Sequence, residues 1–413
     1  MKKAVALVAS LALALLAAGC GSSGSPADYP KDFRVEAGDG AALVTWTEEP
    51  GVSYWLFWGP GPNITTTNWT TTGGVAIPGV TSPRYVPALV NGRTYSFTIN
   101  GRKDGGPGGE GAPTQVIVPQ FAGANWRLGE PLGTGRLGGV SGGLTPTTYV
   151  TMALGENGTI YSRARSGETT TPTNPTAPAQ LNGIAYGTAG WVAVGANGTS
   201  VAALDGITWE SKPTGVTANL NGISTSSLGG YIATGASGTI LLGSIAAVWT
   251  TVTAPGTTND LYAAVYGNGR YVAVGAAGTI VTSNDGLTWT VTPSGTTSDL
   301  RGVAFAAFTT TTDGVATTTF RFVAVGKAGT VLHSSDGLAW TVLPPVVGAN
   351  DLNAVIYGGQ FVAVGSAGAI YTSPDGLAWT ARNSGTNADL TAVTRTQTGY
   401  TAVGTGGTIV SSF

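Results

Sequence analysis

The sequence predicts an all-β protein in which a small β-sandwich is followed by a seven-bladed β-propeller. Glycine accounts for 65 of 413 residues and charged residues for 10%, against about 7% and 25% in ordinary soluble domains. This composition is typical of short strands joined by tight turns. Hydrophobic residues make up 42%, with 11 tryptophans, so buried cores can form. A unit of about 40 residues recurs along the C-terminal part, which is typical of propeller blades.

The first 19 residues have the pattern of an export signal. Lys2 and Lys3 precede an apolar run at residues 4–18, which is shorter than a segment that spans a bilayer. Residues 16–20, Leu-Ala-Ala-Gly-Cys, resemble the lipobox of bacterial lipoproteins, in which the cysteine becomes the lipid-carrying N-terminus. Cys20 is the only cysteine, so the resemblance implies a membrane anchor there and leaves no thiol for a disulfide. The alternative is an ordinary secretory signal.

Residues 20–27 follow as a flexible tether rich in glycine and serine. Gly21 rather than aspartate follows the cysteine. By resemblance to enteric lipoproteins, this implies the outer membrane, with the protein facing the periplasm or the cell surface. The formal net charge is −2 and no basic cluster follows the signal. Nucleic-acid binding needs a basic surface, so we expect no nucleic-acid partner.

Residues 28–120 are predicted to form a β-sandwich. Strand patterns occur at residues 41–46, 54–58, 94–99 and 115–118. Strands at this spacing over about 90 residues suit two packed sheets.

One segment of this region carries a family resemblance. Residues 89–97, Leu-Val-Asn-Gly-Arg-Thr-Tyr-Ser-Phe, resemble the approach to strand F of fibronectin type III domains. The resemblance implies that the Tyr95 hydroxyl bonds back to the upstream backbone and that Trp46 lies in the core. We interpret the domain as a spacer, with a dedicated binding site as the alternative.

Residues 121–413 contain seven copies of one repeat. Each copy has a Gly-x-x-Gly element, whose first glycine stands at positions 155, 195, 235, 275, 326, 365 and 404. A Leu-x-small pattern predicts the innermost strand, because only glycine or alanine fits close to the axis. The Gly-x-x-Gly turn is predicted to supply positive φ for a hairpin. A tryptophan opens the outermost strand and is expected to pack between neighbouring blades.

The two ends of this region complement each other. The last copy stops after its third strand pattern, whereas residues 124–134 match the outer-strand segment of the other copies. We therefore predict that residues 124–134 supply the outer strand of the final blade. This strand would close the ring and cover an exposed edge.

The turns before the tryptophans resemble the Asp-box of sialidase-type repeats, as in Ser-Asn-Asp-Gly-Leu-Thr-Trp at residues 283–289. The repeats also look like those of photosystem II assembly-factor-type propellers. In these families the Asp-box is a structural turn. The resemblance implies a structural role for four aspartates: Asp205, Asp285, Asp336 and Asp375. The Phe/Tyr-Arg-Ile-Pro segment of sialidases is absent.

No catalytic residue, metal site or cofactor is predicted. His333 is the only histidine, and it stands where sister copies have threonine, so we interpret it as an ordinary strand residue. A metal site built from several His or Cys ligands is excluded. Four aspartates precede the inner-strand leucine: Asp260, Asp299, Asp351 and Asp389. We expect them to bond amides of the turn onto that strand, with a cation-binding ring as the alternative.

The candidate ligand-binding residues lie on the predicted innermost strands. They are Arg301, Arg395, Asn182, Asn221, Tyr262 and Asn353. The fifth copy carries a threonine-rich insertion at about residues 308–320, expected on the Asp-box face as either a contact surface or a passive loop.

These features predict a non-catalytic, membrane-anchored binding or assembly scaffold of the bacterial cell envelope. Its propeller would recognise a protein or a polysaccharide. The alternative is a glycan-active hydrolase or lyase that uses the channel mouth. An arginine cluster converging at that mouth would favour this alternative.

Overall fold

The computed structural model describes residues 24–146, 149–164, 172–174, 179–188, 190–226, 229–244, 247–252, 256–312, 315–345, 350–397 and 399–412. The predicted signal peptide and Cys20 lie outside the described residues. Regular structure in the described part consists of antiparallel β-strands and single-turn 3-10 helices, which confirms the all-β prediction. None of the described helices is long and apolar enough to cross a membrane. The chain divides into two compact units, residues 1–122 and 123–413.

The described part of the first unit forms two sheets. Its strands are β1 (Ser25–Ala27), β2 (Arg34–Gly38), β3 (Ala41–Thr45), β4 (Val52–Pro60), β5 (Val75–Val80), β6 (Arg84–Val86), β7 (Tyr95–Lys103) and β8 (Gln115–Ile117). Strands β2, β3 and β6 form one sheet, and the other has the order β1-β7-β4-β5 with β8 also paired to β7. Side chains of both sheets share one core, which includes Trp46, Leu56 and Phe97. The Tyr95 hydroxyl accepts a hydrogen bond from the backbone N–H of Val90 (3.1 Å).

The described part of the second unit forms seven antiparallel sheets, numbered here in chain order. After β9 (Arg127–Leu128), sheet 1 contains β10 (Gly139–Leu144), β11 (Tyr149–Leu154) and β12 (Ile160–Ala164); sheet 2 contains β13 (Leu181–Gly187), β14 (Gly190–Gly195), β15 (Ser200–Ala203) and β16 (Glu210–Ser211); sheet 3 contains β17 (Leu220–Thr225), β18 (Tyr231–Gly235), β19 (Ile240–Gly243) and β20 (Trp249–Thr251); sheet 4 contains β21 (Leu261–Gly267), β22 (Arg270–Gly275), β23 (Ile280–Ser283) and β24 (Thr290–Thr292). Sheet 5 contains β25 (Leu300–Thr312), β26 (Val315–Gly326), β27 (Val331–Ser334) and β28 (Thr341–Val342); sheet 6 contains β29 (Leu352–Tyr357), β30 (Phe361–Gly365), β31 (Ile370–Ser373) and β32 (Thr380–Arg382); sheet 7 contains β33 (Leu390–Arg395), β34 (Tyr400–Gly404) and β35 (Ile409–Ser412).

The first strands of the seven sheets form a ring. Each contacts the first strand of the next sheet, and β33 of sheet 7 contacts β10 of sheet 1. Small residues are required where these strands approach one another. A Cβ at Gly302 would lie 2.9 Å from the backbone N of Val355, and one at Gly222 would overlap the carbonyl oxygen of Tyr262. The closeness of neighbouring backbones explains the Leu-x-small pattern.

Hydrophobic cores lie between neighbouring sheets. Trp289 of sheet 4 is 7% exposed and shares a cluster with Ile232 and Ile240 of sheet 3. Trp379 of sheet 6 packs in the same way with Val323 and Val331 of sheet 5. The tryptophan that precedes the outer strand therefore joins one sheet to the sheet before it, and its indole removes a large apolar area from water.

The segment before sheet 1 completes sheet 7. Strand β9 pairs antiparallel with β35, with Leu128 opposite Val410. The backbone N–H of Gly129 donates to the carbonyl of Ile409 (2.9 Å), and that of Leu132 donates to the carbonyl of Gly407 (2.8 Å). The two ends of the second unit thus meet in one sheet, which leaves β35 with a paired edge.

The Gly-x-x-Gly elements, called glycine turns below, have a second basis besides the one predicted. In sheet 4 the first glycine, Gly275, has an extended φ of −165° that any residue adopts. Positive φ is found at Ala277 (51°) and Gly278 (70°) instead. Gly275 is required for space, because a Cβ there would overlap the carbonyl oxygen of Asp260. The turn therefore has positive φ as predicted, at its third and fourth positions, whereas its first glycine is required for space.

The insertion in the fifth copy lengthens one hairpin. Strands β25 and β26 pair along their full length, out to Thr312 opposite Val315. At the base of the extension Phe308 packs edge-on against Tyr357 (centroids 5.7 Å apart). Because alternate turns of an antiparallel sheet lie at the same edge, the extended hairpin lies on the Asp-box side of sheet 5.

Candidate functional site

A cavity of about 880 Å³ lies on the axis of the ring, lined by residues from all seven sheets. It opens at the leucine end of the first strands. Five of the six candidate residues line it: Asn182, Asn221, Tyr262, Arg301 and Asn353. Each stands directly after the inner-strand leucine of its sheet.

Several of these side chains hold neighbouring sheets together. The Nδ2 of Asn182 donates to the Leu220 carbonyl of the next sheet (2.9 Å), and that of Asn221 donates to the Leu261 carbonyl (3.0 Å). The same bond joins Asn353 to the Leu390 carbonyl (2.8 Å). Thr391 donates to the Leu137 carbonyl. We call this set the seam bonds. They satisfy backbone acceptors near the axis, so these amides have a structural use.

Three positions of the ring depart from the seam pattern, and one of them, Gly138 of sheet 1, has no side chain. Sheets 4 and 5 carry Tyr262 and Arg301 where their neighbours carry asparagine or threonine. The Tyr262 hydroxyl makes no hydrogen bond within the described residues, and burial, followed by Asp299 and Asp260, raises the pKa of this phenol. The Nη1 of Arg301 donates to the Oδ1 of Asn353 (2.6 Å). The side chains of Tyr262 and Arg301 therefore make no seam bond.

The charged groups of the cavity are arranged as ion pairs. Arg301 Nη1 lies 3.1 Å from Asp351 Oδ2, and Lys327 Nζ lies 2.6 Å from Asp299 Oδ2. The bond from Lys327 and a second one from the Ala277 amide lower the pKa of Asp299. Asp299 therefore stays ionised opposite Lys327 at neutral pH.

The four aspartates before the inner leucines bond backbone amides. Each carboxylate accepts a hydrogen bond from the left-handed residue of a glycine turn, as Asp299 does from the N–H of Ala277 (2.9 Å). The other three pairs are Asp260 with Ser237, Asp351 with Ala328 and Asp389 with Ala367. This glycine turn belongs to the preceding sheet. The prediction that each aspartate bonds amides of the turn leading onto its own strand is corrected in this respect. No group of three or more potential ligands in the described residues could hold a metal ion, so we do not propose a cation ring.

Arg395 lies away from the cavity. Strand β33 begins at Leu390, and five residues of strand span about 16 Å, so Arg395 stands at the opposite end. Its guanidinium carbon lies 4.9 Å from the centre of the Tyr400 ring. The candidate set therefore divides, since sequence periodicity places both arginines on inner strands without fixing which end each occupies.

The lone histidine also lies outside the cavity lining. His333 is on the third strand of sheet 5, where its Nδ1 lies 3.0 Å from Arg321 Nη1. Burial and this arginine lower its pKa. It is thus held as a neutral side chain between strands.

Sequence reasoning missed several residues of the lining. Arg136, Lys327 and Asp389 contribute to it but were not named as ligand-binding candidates. Arg136 and Asp389 directly precede the inner leucine of their sheets. The position before this leucine is therefore the sequence feature that could have indicated them as lining residues. Lys327 comes from a glycine turn, whose closeness to the axis depends on tertiary structure.

The Asp-box turns use their carboxylates internally. The Oδ1 of Asp285 accepts hydrogen bonds from the backbone N–H of Leu287 (2.8 Å) and Thr288 (2.7 Å), and Ser283 donates its hydroxyl to the same oxygen (2.9 Å). The Thr288 and Leu287 amides, then Ser283, lower the pKa of Asp285 to about 2. Asp205, Asp336 and Asp375 accept the equivalent pairs of amides.

We expect the second unit to lose stability in acid. The pKa of Asp285 is about 2 in the fold against 3.8 as its ordinary value, so its contribution is complete above pH 4 and disappears as the pH falls through 2. Asp285→Asn keeps an acceptor oxygen but does not titrate, so its urea midpoint should fall less between pH 5 and pH 2.5 than that of the wild type. Identical pH profiles would show that the turn carboxylate contributes nothing.

No protein-family model and no curated protein sequence matches the chain. Solved structures do. YCF48 bound to a D1 peptide superposes with a TM-score of 0.52 at 17% identity, over 70% of this chain and 96% of that one. A streptogramin B lyase superposes with a TM-score of 0.57 at 14% identity, over 70% and 98%.

A third match is a catalytically inactive virginiamycin B lyase from Staphylococcus aureus with quinupristin, in which a histidine is replaced by alanine. Its TM-score is 0.57 at 12% identity, over 69% of this chain and 98% of that one. At these identities the likeness concerns the fold alone. The matched region of this chain has the β-propeller fold.

Proposed function

We propose that this protein is a non-catalytic, lipid-anchored binding or assembly scaffold of the bacterial cell envelope. Its seven sheets are the blades of a seven-bladed propeller, and its axial cavity receives a protein or a glycan. The observation that carries this proposal is the cavity itself. About 880 Å³ of space is lined by polar and charged side chains together with glycines and aliphatic residues of the inner strands, and Tyr262 and Arg301 are left out of the seam bonds. The size is typical of a ligand site.

The first unit is proposed to be a fibronectin type III sandwich that serves as a spacer. The bond from the Val90 amide to the Tyr95 hydroxyl and the burial of Trp46 support this assignment. With Cys20 lipidated, the sandwich and the tether of residues 20–27 connect the membrane to the propeller. A second acyl group on this cysteine would make the anchoring stable.

The solved relatives support binding and leave an enzyme as the second candidate. YCF48 holds a D1 peptide, whereas the lyases are enzymes, one of them inactivated by loss of a histidine. Here His333 is placed between strands of sheet 5 and is not part of the lining. Only Arg136 and Arg301 among the described arginines line the cavity, and Arg301 is paired with Asp351. A non-catalytic role fits this arrangement better.

Photo-crosslinking tests the proposal. The full-length protein is expressed in its bacterial host with a photoreactive phenylalanine analogue in place of Asn182, inside the cavity. We expect an adduct of defined mass with a protein or a glycan. The matched control carries the analogue at Leu287, which is 58% exposed on an Asp-box turn. Absence of an adduct at 182, or identical adducts at both positions, would contradict a ligand in the cavity.

Replacing Cys20 by serine should release the protein from the membrane. A serine cannot take up a thioether-linked lipid, and the apolar run of residues 4–18 is too short to anchor the chain by itself. We expect the wild type in the membrane fraction with incorporated radioactive palmitate, and Cys20→Ser without label. Ser22→Ala is the matched control and should behave as wild type. Palmitate labelling of Cys20→Ser would refute the lipoprotein assignment.

A further inference from the structure

We infer that the axial cavity recognises an uncharged, hydroxyl-rich ligand, namely a neutral glycan, through one sector of its wall. The sector, called the Tyr262 sector, consists of Tyr262, Asp299, Arg301, Lys327, Asp351 and Asn353. This inference deepens the proposed function and rests on it. It chooses between the protein and the glycan that the proposed function leaves open.

The seam bonds use hydrogen-bonding groups on only part of the cavity wall. Asn182 and Asn221 spend amide hydrogens on the seam bonds to Leu220 and Leu261. Thr391 spends its hydroxyl hydrogen in the same way. Sheets 4 and 5, with Tyr262 and Arg301, interrupt this pattern. Tyr262 and Arg301 therefore place polar groups that make no seam bond on one side of the cavity, next to Asn353, which makes the seam bond to Leu390.

Cations and anions of the described cavity lining are equal in number. The described lining holds three cations (Arg136, Arg301 and Lys327) and three anions (Asp299, Asp351 and Asp389). Two cations are compensated by direct ion pairs. A ligand with a net charge would have to break a pair or bring an uncompensated charge to the site, at a cost in desolvation. Within the Tyr262 sector both cations are compensated by these ion pairs, so this sector favours a neutral ligand over a sialylated or uronic one.

The Tyr262 sector offers both donors and acceptors of hydrogen bonds. Asp351 accepts from the Ala328 amide and from Arg301, and each carboxylate oxygen keeps a further lone pair. Arg301 and Lys327 keep unused N–H groups. Donors and acceptors thus stand side by side with their geometry fixed by the ion pairs. A sugar hydroxyl donates and accepts at once, so it matches such a surface.

Tyr262 adds an aromatic ring to this sector. Tyr262 is half-buried on β21 and presents a flat ring together with an unbonded hydroxyl. The C–H face of a pyranose is apolar and packs on an aromatic ring, while its hydroxyls turn to polar neighbours. Tyr262 combines both requirements beside the ion pairs of sheet 5.

A peptide fits the lining less well. Apolar anchors of a peptide need exposed apolar pockets. Four aliphatic residues of the lining, Val140, Ile184, Val303 and Val355, are at most 7% exposed. The charged side chains of the ion pairs are between 22% and 49% exposed. Ile223 and Ile356 of the lining are partly exposed, and polar atoms make up somewhat more than half of the accessible surface.

The test is a glycan array probed with the full-length protein in lauryldimethylamine oxide, a detergent without a sugar headgroup. The array carries neutral oligosaccharides of hexoses and N-acetylhexosamines together with their sialylated and uronic counterparts. We expect saturable binding to neutral members and at least tenfold weaker binding to the acidic counterparts. For the best neutral ligand, Tyr262→Ala should lower the affinity at least tenfold and Tyr262→Phe only a few fold. Leu287→Ala, on the opposite face, should leave it unchanged.

The outcomes separate this inference from the proposed function. Preference for acidic glycans, or a Tyr262→Ala variant that is folded by circular dichroism and binds like wild type, would overturn the neutral-glycan site. No glycan binding together with a protein adduct at position 182 would overturn it as well, but would leave the scaffold in place. Silence in both experiments would remove both proposals.

Discussion

Gly365→Ala should destabilise the second unit by about 3 kcal/mol, the upper end of the usual cost of overpacking. Gly365 has an extended φ of −167°, so alanine meets no backbone penalty there. The obstacle is space, because a Cβ would overlap the carbonyl oxygen of Asp351. That oxygen accepts the N–H of Ser366 (2.9 Å) and belongs to the turn onto β29. Neither backbone segment can move without disturbing the ladder between Leu352 and Gly365.

The measurement is the urea midpoint of the second unit, followed by its tryptophan fluorescence. Gly359→Ala is the matched control in the same sheet, since a Cβ there meets nothing within 4 Å and only the positive φ of 99° is penalised. We expect the control to lose about 1 kcal/mol, the lower end of the cost of a non-glycine residue at positive φ. Equal losses for the two variants would show that close packing at the glycine turn is unimportant.

Much of the fold could be predicted because the repeat copies agree with one another. The Leu-x-small pattern marks the strands of the ring, and the tryptophan of each copy marks the seam between sheets, as Trp289 and Trp379 show. Local chemistry was also predictable. The Asp285 carboxylate folds back on the amides of its own turn, which is the ordinary behaviour of Asp-Gly turns.

The first glycine of each glycine turn has a reason that sequence could not supply. Glycine at such a turn is most simply explained by positive φ. Here the left-handed position is occupied by Ala277 and its equivalents, and in four of the copies an aspartate of the next sheet accepts a hydrogen bond from its N–H. The need for glycine at Gly275 comes from a carbonyl 15 residues earlier in the chain. Such a contact becomes visible only once the strands are placed in register.

The candidate site was predictable as a set of positions and not as a set of roles. Asn182, Tyr262 and Arg301, which follow the inner leucine of their sheets, line the axial cavity. Which of these serve the seam and which remain available depends on hydrogen bonds between sheets 38 to 52 residues apart in sequence. Arg395 shares the strand type but lies at its far end, and this follows from strand length.

Leu132→Asp should open the ring at its closing strand. Leu132 is 5% exposed and packs with Leu137, Val403 and Ile409. Loss of a buried leucine costs about 2–5 kcal/mol, and a carboxylate placed in this apolar cluster either remains uncompensated or takes up a proton. We therefore expect a loss near the top of that range.

The loss should also have a definite location. Strand β9 contributes only two residues to the ladder with β35, so the bonds of Gly129 and Leu132 to sheet 7 hold the rest of the closing segment. If this segment detaches, the amide of Ser411, which faces β9, should exchange with solvent faster in Leu132→Asp, while those of sheet 4 keep their protection.

Glu130→Gln is the matched control, because Glu130 is exposed in the same segment and should leave exchange unchanged. Uniformly faster exchange over all seven sheets would mean that the ring unfolds as one cooperative body. Unchanged exchange at Ser411 would mean that the segment contributes no stability to sheet 7. Local loss alone is the expected result, since a ring of sheets that contact only their neighbours can open at one seam while the other six remain packed.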